Sequence, residues 1–278
     1  MVNIIHSDCV TALKEMPDSS VDVIFIDPPY NTGNKEDKTI QYTKNEDYIR
    51  KKWKSFHADW DAIDDYESWS MTWLKESARV LKPKGSIFIC GSLHNVPDVA
   101  YALRKSNFYT MQWIAWCIPN SFPNLAMQKM VSANQTIIWA RPDSKVGQFY
   151  DKEAARSYNA GKNLRDYWIL PNATHVDKGK PWKKHPSKKP VGLVKRALDL
   201  TITKSGFALE TSLKHGPLHV VDFFAGSGTT GAACSMLAYE YPDIQLNCTL
   251  IDREELYVSW MHARFTENNE EPTEEPTE

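Results

Sequence analysis

Residues 218–252 carry the pattern that most narrows the architecture. Leu218 to Phe224 reads as a strand. Gly226-Ser227-Gly228-Thr229-Thr230-Gly231 follows it and opens a helix over Thr229 to Ala238. Gln245 to Ile251 is a second strand with Asp252 at its end. The glycine spacing is G-x-G-x-x-G. Glycines let the backbone turn tightly and approach a ligand, which the helix N-terminus then faces. An acid about 20 residues past such a turn can accept hydrogen bonds from ribose hydroxyls, and Asp252 lies there. No Lys follows the glycines, so this is not a P-loop. The unit fits a nucleoside cofactor. NAD, FAD and S-adenosylmethionine all satisfy its spacing.

The rest of the chain repeats the alternation. Asp8 to Met16 has helical spacing, with Val10, Leu13 and Met16 on one side. Ser20 to Ile26 is an apolar strand closed by prolines. Tyr66 to Leu81 is a helix, broken by Lys82-Pro83-Lys84-Gly85 before a strand at Ser86 to Cys90. A helix is predicted at Val96 to Lys105, strands at Thr110 to Cys117 and Gln135 to Ala140, and helices at Val191 to Thr203 and Glu254 to Phe265. Alternation of this kind argues for an α/β fold with a doubly wound, mostly parallel sheet. Residues 31–65 are polar and read as a long loop or lid. Residues 141–184 lack clean periodicity and read as an insert outside the sheet core.

A second constellation sits at the carboxyl end of the strand before Asp27, where open α/β sheets place their ligands. In Asp27-Pro28-Pro29-Tyr30, Asp27 offers an acceptor-only carboxylate. The prolines donate no N–H but leave a carbonyl to accept. Two adjacent acceptors can hold an exocyclic NH₂ group by both hydrogens, and Tyr30 supplies a ring face for stacking on a base. A proline-capped turn with a surface Tyr is the plainer alternative for this stretch.

Asp27-Pro28-Pro29-Tyr30, followed by Asn31-Thr32-Gly33, resembles motif IV of the amino-methylating DNA methyltransferases. Phe224 to Thr230 resembles their motif I, and His185-Pro186-Ser187-Lys188-Lys189-Pro190 their motif X. Asn3 to Asp8 with Ser20-Val21-Asp22, and Arg79 to Gly85, match two further blocks. The catalytic motif precedes the cofactor motif, the order of the permuted β group. The resemblance implies a Rossmann-like S-adenosylmethionine-dependent enzyme in which Gly226, Ser227, Gly228, Thr229 and Thr230 wrap the cofactor beside Phe224. It also implies that Asp222 lies near the methionine end, Asp252 at the ribose, Asp8 at the adenosine part, and Ser187 and Lys189 at the carboxylate. Asp27 borders both cofactor and base. Phe223 stands where Pro is common, and Lys188 where Gln is common. The catalytic turn resembles that of adenine-N6 enzymes; cytosine-N4 enzymes of the group more often carry Ser in place of Asp27. An RNA methyltransferase is a weaker alternative, because those that use P-P-Y place the glycine turn first. A nicotinamide dehydrogenase leaves Asp27 to Tyr30 unexplained, and the intact Asp27, Tyr30 and Gly226 argue against an inactive DNA-binding module.

Charge supports a polyanionic partner. Six of the 35 acidic residues lie in the tail from Glu267 to Glu278; without them the 33 basic residues exceed the acids by four. From Arg141 to Pro190 twelve Lys and Arg face five acids, which suits duplex DNA through counterion release. Lys162, Arg165, Lys178, Lys180, Lys183 and Lys184 are the candidate DNA contacts. The expected division is a catalytic half at 1–140, a target-recognition insert at 141–184, a cofactor half at 185–266, and a disordered acidic tail at 267–278. The insert is short, so a homodimer is one expected assembly. Trp69 and Trp73 are expected in the core, and Trp53 at DNA; His57 and His94 receive no role. Five scattered Cys without a C-x-x-C give no metal site and suit a reducing compartment. No run of about 18 apolar residues predicts a membrane span, and no secretory signal is expected. The expected setting is the cytoplasm of a prokaryotic or phage-infected cell, at the nucleoid, as in restriction-modification.

Overall fold

The protein is described by a computed structural model over residues 1–32, 61–121, 123, 128–142, 145–173, 180–202 and 216–266. The readings on Gly33, Trp53, His57, Lys178, most of the 31–65 loop and the tail lie outside those residues.

Eight strands build one sheet: β1 (Val2–His6), β2 (Val21–Ile26), β3 (Leu81–Gly91), β4 (Tyr109–Cys117), β5 (Asn134–Arg141), β6 (Tyr167–Ile169), β7 (Leu218–Asp222) and β8 (Leu246–Asp252). Their spatial order is β1-β8-β7-β2-β3-β5-β4-β6. Only β5 runs against its neighbours; the other pairs are parallel. The described helices are α1 (Cys9–Glu15), α2 (Tyr66–Val80), α3 (Val96–Lys105), α4 (Lys152–Ser157), α5 (Val191–Thr201), α6 (Thr229–Glu240) and α7 (Glu255–Thr266). None is long and apolar enough to cross a membrane.

The strands bury both faces, which is why they read as nearly continuous apolar runs. On β2, Val23 and Phe25 face one layer with α5, α6 and α7. Val21, Ile24 and Ile26 face the other, with α1, α2 and α3. The connection after β7 therefore lies on one face and that after β2 on the opposite face. The two strands are neighbours, so a topological switch point opens a crevice beyond their carboxyl ends.

The structure departs from or adds to the sequence reading in four places. β1, which carried no periodic signal, pairs along its whole length with β8. Lys82-Pro83-Lys84-Gly85 does not separate α2 from β3: the strand starts at Leu81, and the four residues form a bulge where the register shifts opposite Val21–Val23. A Cβ at Gly85 would come within 3.0 Å of the Asp22 carbonyl oxygen, so the bulge needs glycine there. The 141–184 segment is not outside the sheet. It supplies β6 and buries Trp168 and Ala155 in the core. Finally, β7 and β8 insert between β1 and β2, a strand order the sequence reading did not specify.

Candidate active site

The crevice is a cavity of about 340 Å³. Its walls include Asp8, Asp27, Pro28, Pro29 and Tyr30 from the first half of the chain, and Ser187, Lys189, Asp222, Phe224, Gly226, Ser227, Thr229, Thr230 and Asp252 from the second. The proline turn and the glycine turn thus share one chamber. Gly228 is the exception among the predicted cofactor residues. It caps α6 at φ +74°, and a Cβ there would meet Phe265 at 3.0 Å and Met261 at 3.1 Å, so it packs against α7.

Each glycine has its own steric reason. Gly226 sits at φ +49°, and an added Cβ would lie 2.7 Å from His185 Nε2. Its backbone N–H donates to Asp252 Oδ2 at 2.8 Å. Gly231 lets α6 close onto the sheet, since a Cβ would lie 2.5 Å from Phe265 and 2.8 Å from Leu250. The turn is a cradle that a side chain would fill, which fits the backbone approach a nucleoside cofactor needs.

Carboxylates line the cofactor wall. Asp222 accepts from Phe224 N at 3.1 Å and from Thr230 Oγ1 at 2.6 Å. Burial, with smaller contributions from the charges of Asp27 and Asp252, pushes its carboxyl up to about 7. Asp252 is also pushed upward, chiefly by burial. Both of its oxygens already accept backbone N–H groups, from Gly226 and Glu254. Glu254, two residues on, lines the same wall and was not anticipated. Asp8 caps α1 through Oδ1, accepting from Val10 N and Thr11 N. Trp69, expected in the core, packs on Phe224 at 5.7 Å and forms part of the cavity wall; Trp73 is fully buried.

The Asp27 turn is held from several directions. Lys189 Nζ lies 2.5 Å from Asp27 Oδ2 and 5.1 Å from the centre of the Tyr30 ring. Lys189, expected at the cofactor's carboxylate, is therefore directed to the Asp27–Tyr30 turn. Asp27 Oδ1 is buried and, among the described residues, has no hydrogen-bond partner. The Tyr30 hydroxyl donates to Gln135 Oε1 at 3.1 Å, and burial, then the charge of Asp27, raises its pKa. Asn31, at φ +51°, exchanges hydrogen bonds of 3.0 Å with the backbone of Ile63. Asp61 accepts from Asn31 N at 2.8 Å and from Thr32 Oγ1 at 2.7 Å. The two chain ends flanking residues 33–60 are thereby tied together. No periodicity announces Gln135, Asp61 or Ile63.

The predicted DNA contacts divide. Lys183 and Lys184 belong to the short turn at Pro181–Lys184, with Lys180 at its N-cap, and the turn leads into the cavity-lining His185 to Lys189. Lys162 and Arg165 precede β6 at the sheet's outer edge and do not line the cavity. β6 is four strand spacings from β2, roughly 19 Å at ~4.8 Å per strand.

A doubly wound sheet with a glycine cradle and an acid-proline turn in one switch-point crevice defines the nucleoside-cofactor class of α/β enzyme. The sequence profile of the family described as DNA methylase matches residues 21–263, and the chain belongs to that family, as an S-adenosylmethionine-dependent DNA methyltransferase. It is 31 % identical over 277 residues to the Type II methyltransferase M2.DpnII of Streptococcus pneumoniae, covering 96 % of this chain and 90 % of that protein. It is 30 % identical over 249 residues to M2.MboI of Moraxella bovis, covering 87 % and 82 %. Among solved structures, the M1.HpyAVI–SAM complex matches with a TM-score of 0.63 at 21 % identity, covering 96 % of this chain and all of that one. The cytosine-N4-specific PvuII DNA methyltransferase matches with a TM-score of 0.67 at 18 % identity, covering 98 % and 88 %. Both structural likenesses describe the fold.

Proposed function

We propose that the protein transfers a methyl group from S-adenosylmethionine to the exocyclic N6 amino group of adenine in duplex DNA. The observation that carries the reading is that Asp27, whose buried Oδ1 has no donor among the described residues, lines the same chamber as the glycine turn.

The cofactor wall suits its ligand. Three carboxylates, Asp8, Asp222 and Asp252, surround space for a cationic nucleoside, and Gly226 clears the approach. Asp222 and Ser187 would hold the methionine end, Asp252 and Glu254 the ribose, and Asp8 and Phe224 the adenosine part. When bound, S-adenosylmethionine supplies a sulfonium-activated methyl for in-line displacement by the amino nitrogen.

The chain's own residues prepare that nitrogen. An aromatic amine is a poor nucleophile because its lone pair is delocalised into the ring. Asp27 Oδ1 and the Pro28 carbonyl would accept its two hydrogens, favouring a pyramidal nitrogen with a directed lone pair. Among the described residues no backbone donor reaches the Pro28 carbonyl. Lys189 holds the other Asp27 oxygen and fixes the carboxylate's orientation. No strong base is needed, since the proton leaves after nitrogen has become cationic. Such positioning supplies up to ~7–11 kcal/mol in favourable cases. The base must leave the stack first, at a cost of a few kcal/mol. Tyr30 stacking would offset roughly 1–3 kcal/mol of it.

Adenine is favoured over cytosine by the acid at position 27, through its likeness to the adenine-N6 turn. A prokaryotic or phage-infected cytoplasm, at the nucleoid, is the setting we infer, supported by the bacterial sources of both curated relatives. A homodimer is the assembly that a short reader favours, and sedimentation velocity reads it directly. Labelled methyl transfer to unmodified duplex DNA, followed by nucleoside analysis, tests the central reading. N6-methyladenine is the expected product, and N4-methylcytosine or no transfer overturns it. Asp27→Ala should reduce transfer at least a thousandfold while S-adenosylmethionine affinity stays within about threefold; near-wild-type turnover would remove Asp27 from the chemistry.

A further inference from the structure

The Asp27 turn poses a physical problem. Pro28 and Pro29 have no N–H, so the segment cannot be fixed by donating hydrogen bonds. Each proline also holds the residue before it extended. In an extended proline segment successive carbonyls point in different directions, about a third of a turn apart. Fixing one carbonyl therefore fixes where the other points.

The Pro29 carbonyl is the fixed one. Tyr66, the first residue of α2, donates its hydroxyl to Pro29 O at 2.5 Å. Asn95 in turn donates from Nδ2 to the Tyr66 hydroxyl at 3.2 Å. Both residues are buried, Asn95 completely. Asn95 occupies the N-cap position of α3, where Asn ordinarily caps its own helix through its side-chain oxygen. Here it makes no such bond. Its Oδ1 instead accepts from Ser92 N at 2.8 Å, and its Nδ2 is aimed at Tyr66. Ser92 caps the turn that enters the helix, its Oγ accepting from His94 N at 3.3 Å and its carbonyl from Val96 N at 3.1 Å; the Asn95 amide closes that turn through Oδ1 and leaves Nδ2 for a chain running Asn95 to Tyr66 to Pro29. Hydrogen bonds in series polarise one another, so Asn95 strengthens the Tyr66 donor.

We propose that Tyr66 and Asn95 are positioning residues for methyl transfer, anchoring the Pro29 carbonyl so that the Pro28 carbonyl faces the chamber as the second acceptor for the target amino group. The proposal rests on the site reading above and adds the device that orients it. Neither residue touches the reacting atoms; both act through the proline turn.

Tyr66→Phe removes one oxygen and keeps the ring that packs at 5.3 Å on Trp69. Single-turnover methylation of duplex DNA at saturating S-adenosylmethionine should slow about tenfold, equivalent to ~1.36 kcal/mol. Cofactor affinity should stay within twofold and Tm within a few degrees. Asn95→Ala should slow the same step less, about threefold, because Tyr66 keeps its hydroxyl. A Tyr66→Phe rate within twofold of wild type overturns the proposal. So does a rate loss matched by an equal loss of cofactor affinity, which would make Tyr66 a general scaffold. Wild-type protein that methylates no DNA at all would instead overturn the reading of the site.

Discussion

Asp222 is buried beside two other carboxylates, and its position fixes a pH dependence. Its carboxyl sits at about 7 against a usual value of 3.8. Between those values the folded chain binds more protons at this site than the unfolded chain does. Unfolding free energy therefore falls as pH rises from about 4 through 7 on its account. A cationic cofactor prefers the ionised form, so binding runs the other way. S-adenosylmethionine affinity should rise by up to about tenfold from pH 6 to pH 8, and Asp222→Asn should flatten that rise. Isothermal titration across the pH range reads both. At the same scale the sequence singled out Asp27, Tyr30 and Gly226 by their distinctive chemistry, and the three line one cavity. It was silent on Gln135, Asp61 and Asn95. Their role comes from partners distant in sequence, Tyr30 for Gln135, Asn31 and Thr32 for Asp61, and Tyr66 for Asn95, and their residue types are common on any surface.

At the scale of elements, the three glycines opening α6 divide the labour of a single turn. Gly226 keeps the chamber clear, Gly228 turns the chain into the helix under α7, and Gly231 lets the helix press on Leu250 and Phe265. Alanine at the first and third positions should differ in its effect on cofactor binding. Gly226→Ala meets the His185 ring and an unfavourable left-handed φ. It should weaken cofactor binding about tenfold or more, and the strained φ should lower Tm as well. Gly231→Ala overpacks the helix against the sheet, at roughly 1–3 kcal/mol, and should lower Tm with cofactor affinity largely kept. Thermal shift with and without S-adenosylmethionine distinguishes the two. Helix and strand existence was legible because both faces of the sheet demand apolar residues at set spacings. The bulge at Lys82 to Gly85 was not. Proline and glycine mark a break in the ladder equally well whether the strand ends there or continues past it.

At the scale of the whole molecule, the Pro181–Lys184 turn carries Lys183 and Lys184 directly before the cavity-lining His185 to Lys189, and a duplex whose base enters the crevice is expected to meet it. Lys183→Gln combined with Lys184→Gln should weaken duplex binding and flatten the plot of log affinity against log salt by up to ~1.8, or ~0.9 for each phosphate no longer neutralised. Cofactor affinity should not change. Duplex titration at several salt concentrations measures the slope, and an unaltered slope would exclude this turn from the DNA surface. The same scale explains why a segment without periodicity is still part of the fold. A three-residue edge strand at Tyr167–Ile169 is too short to show alternation, yet it pairs with β4 and carries Trp168 into the core.

The sequence alone determined the alternation of strands and helices, the glycine turn, and the acid-proline turn, because each follows from local sterics and from the side-chain types that a strand end or helix start requires. Only the tertiary structure decided that β7 and β8 enter between β1 and β2, bringing turns roughly 200 residues apart into one chamber. It also decided that Lys189 meets Asp27, and that Tyr66 meets Pro29. Strand order is set by which apolar faces bury best together, and no local pattern along the chain encodes that pairing.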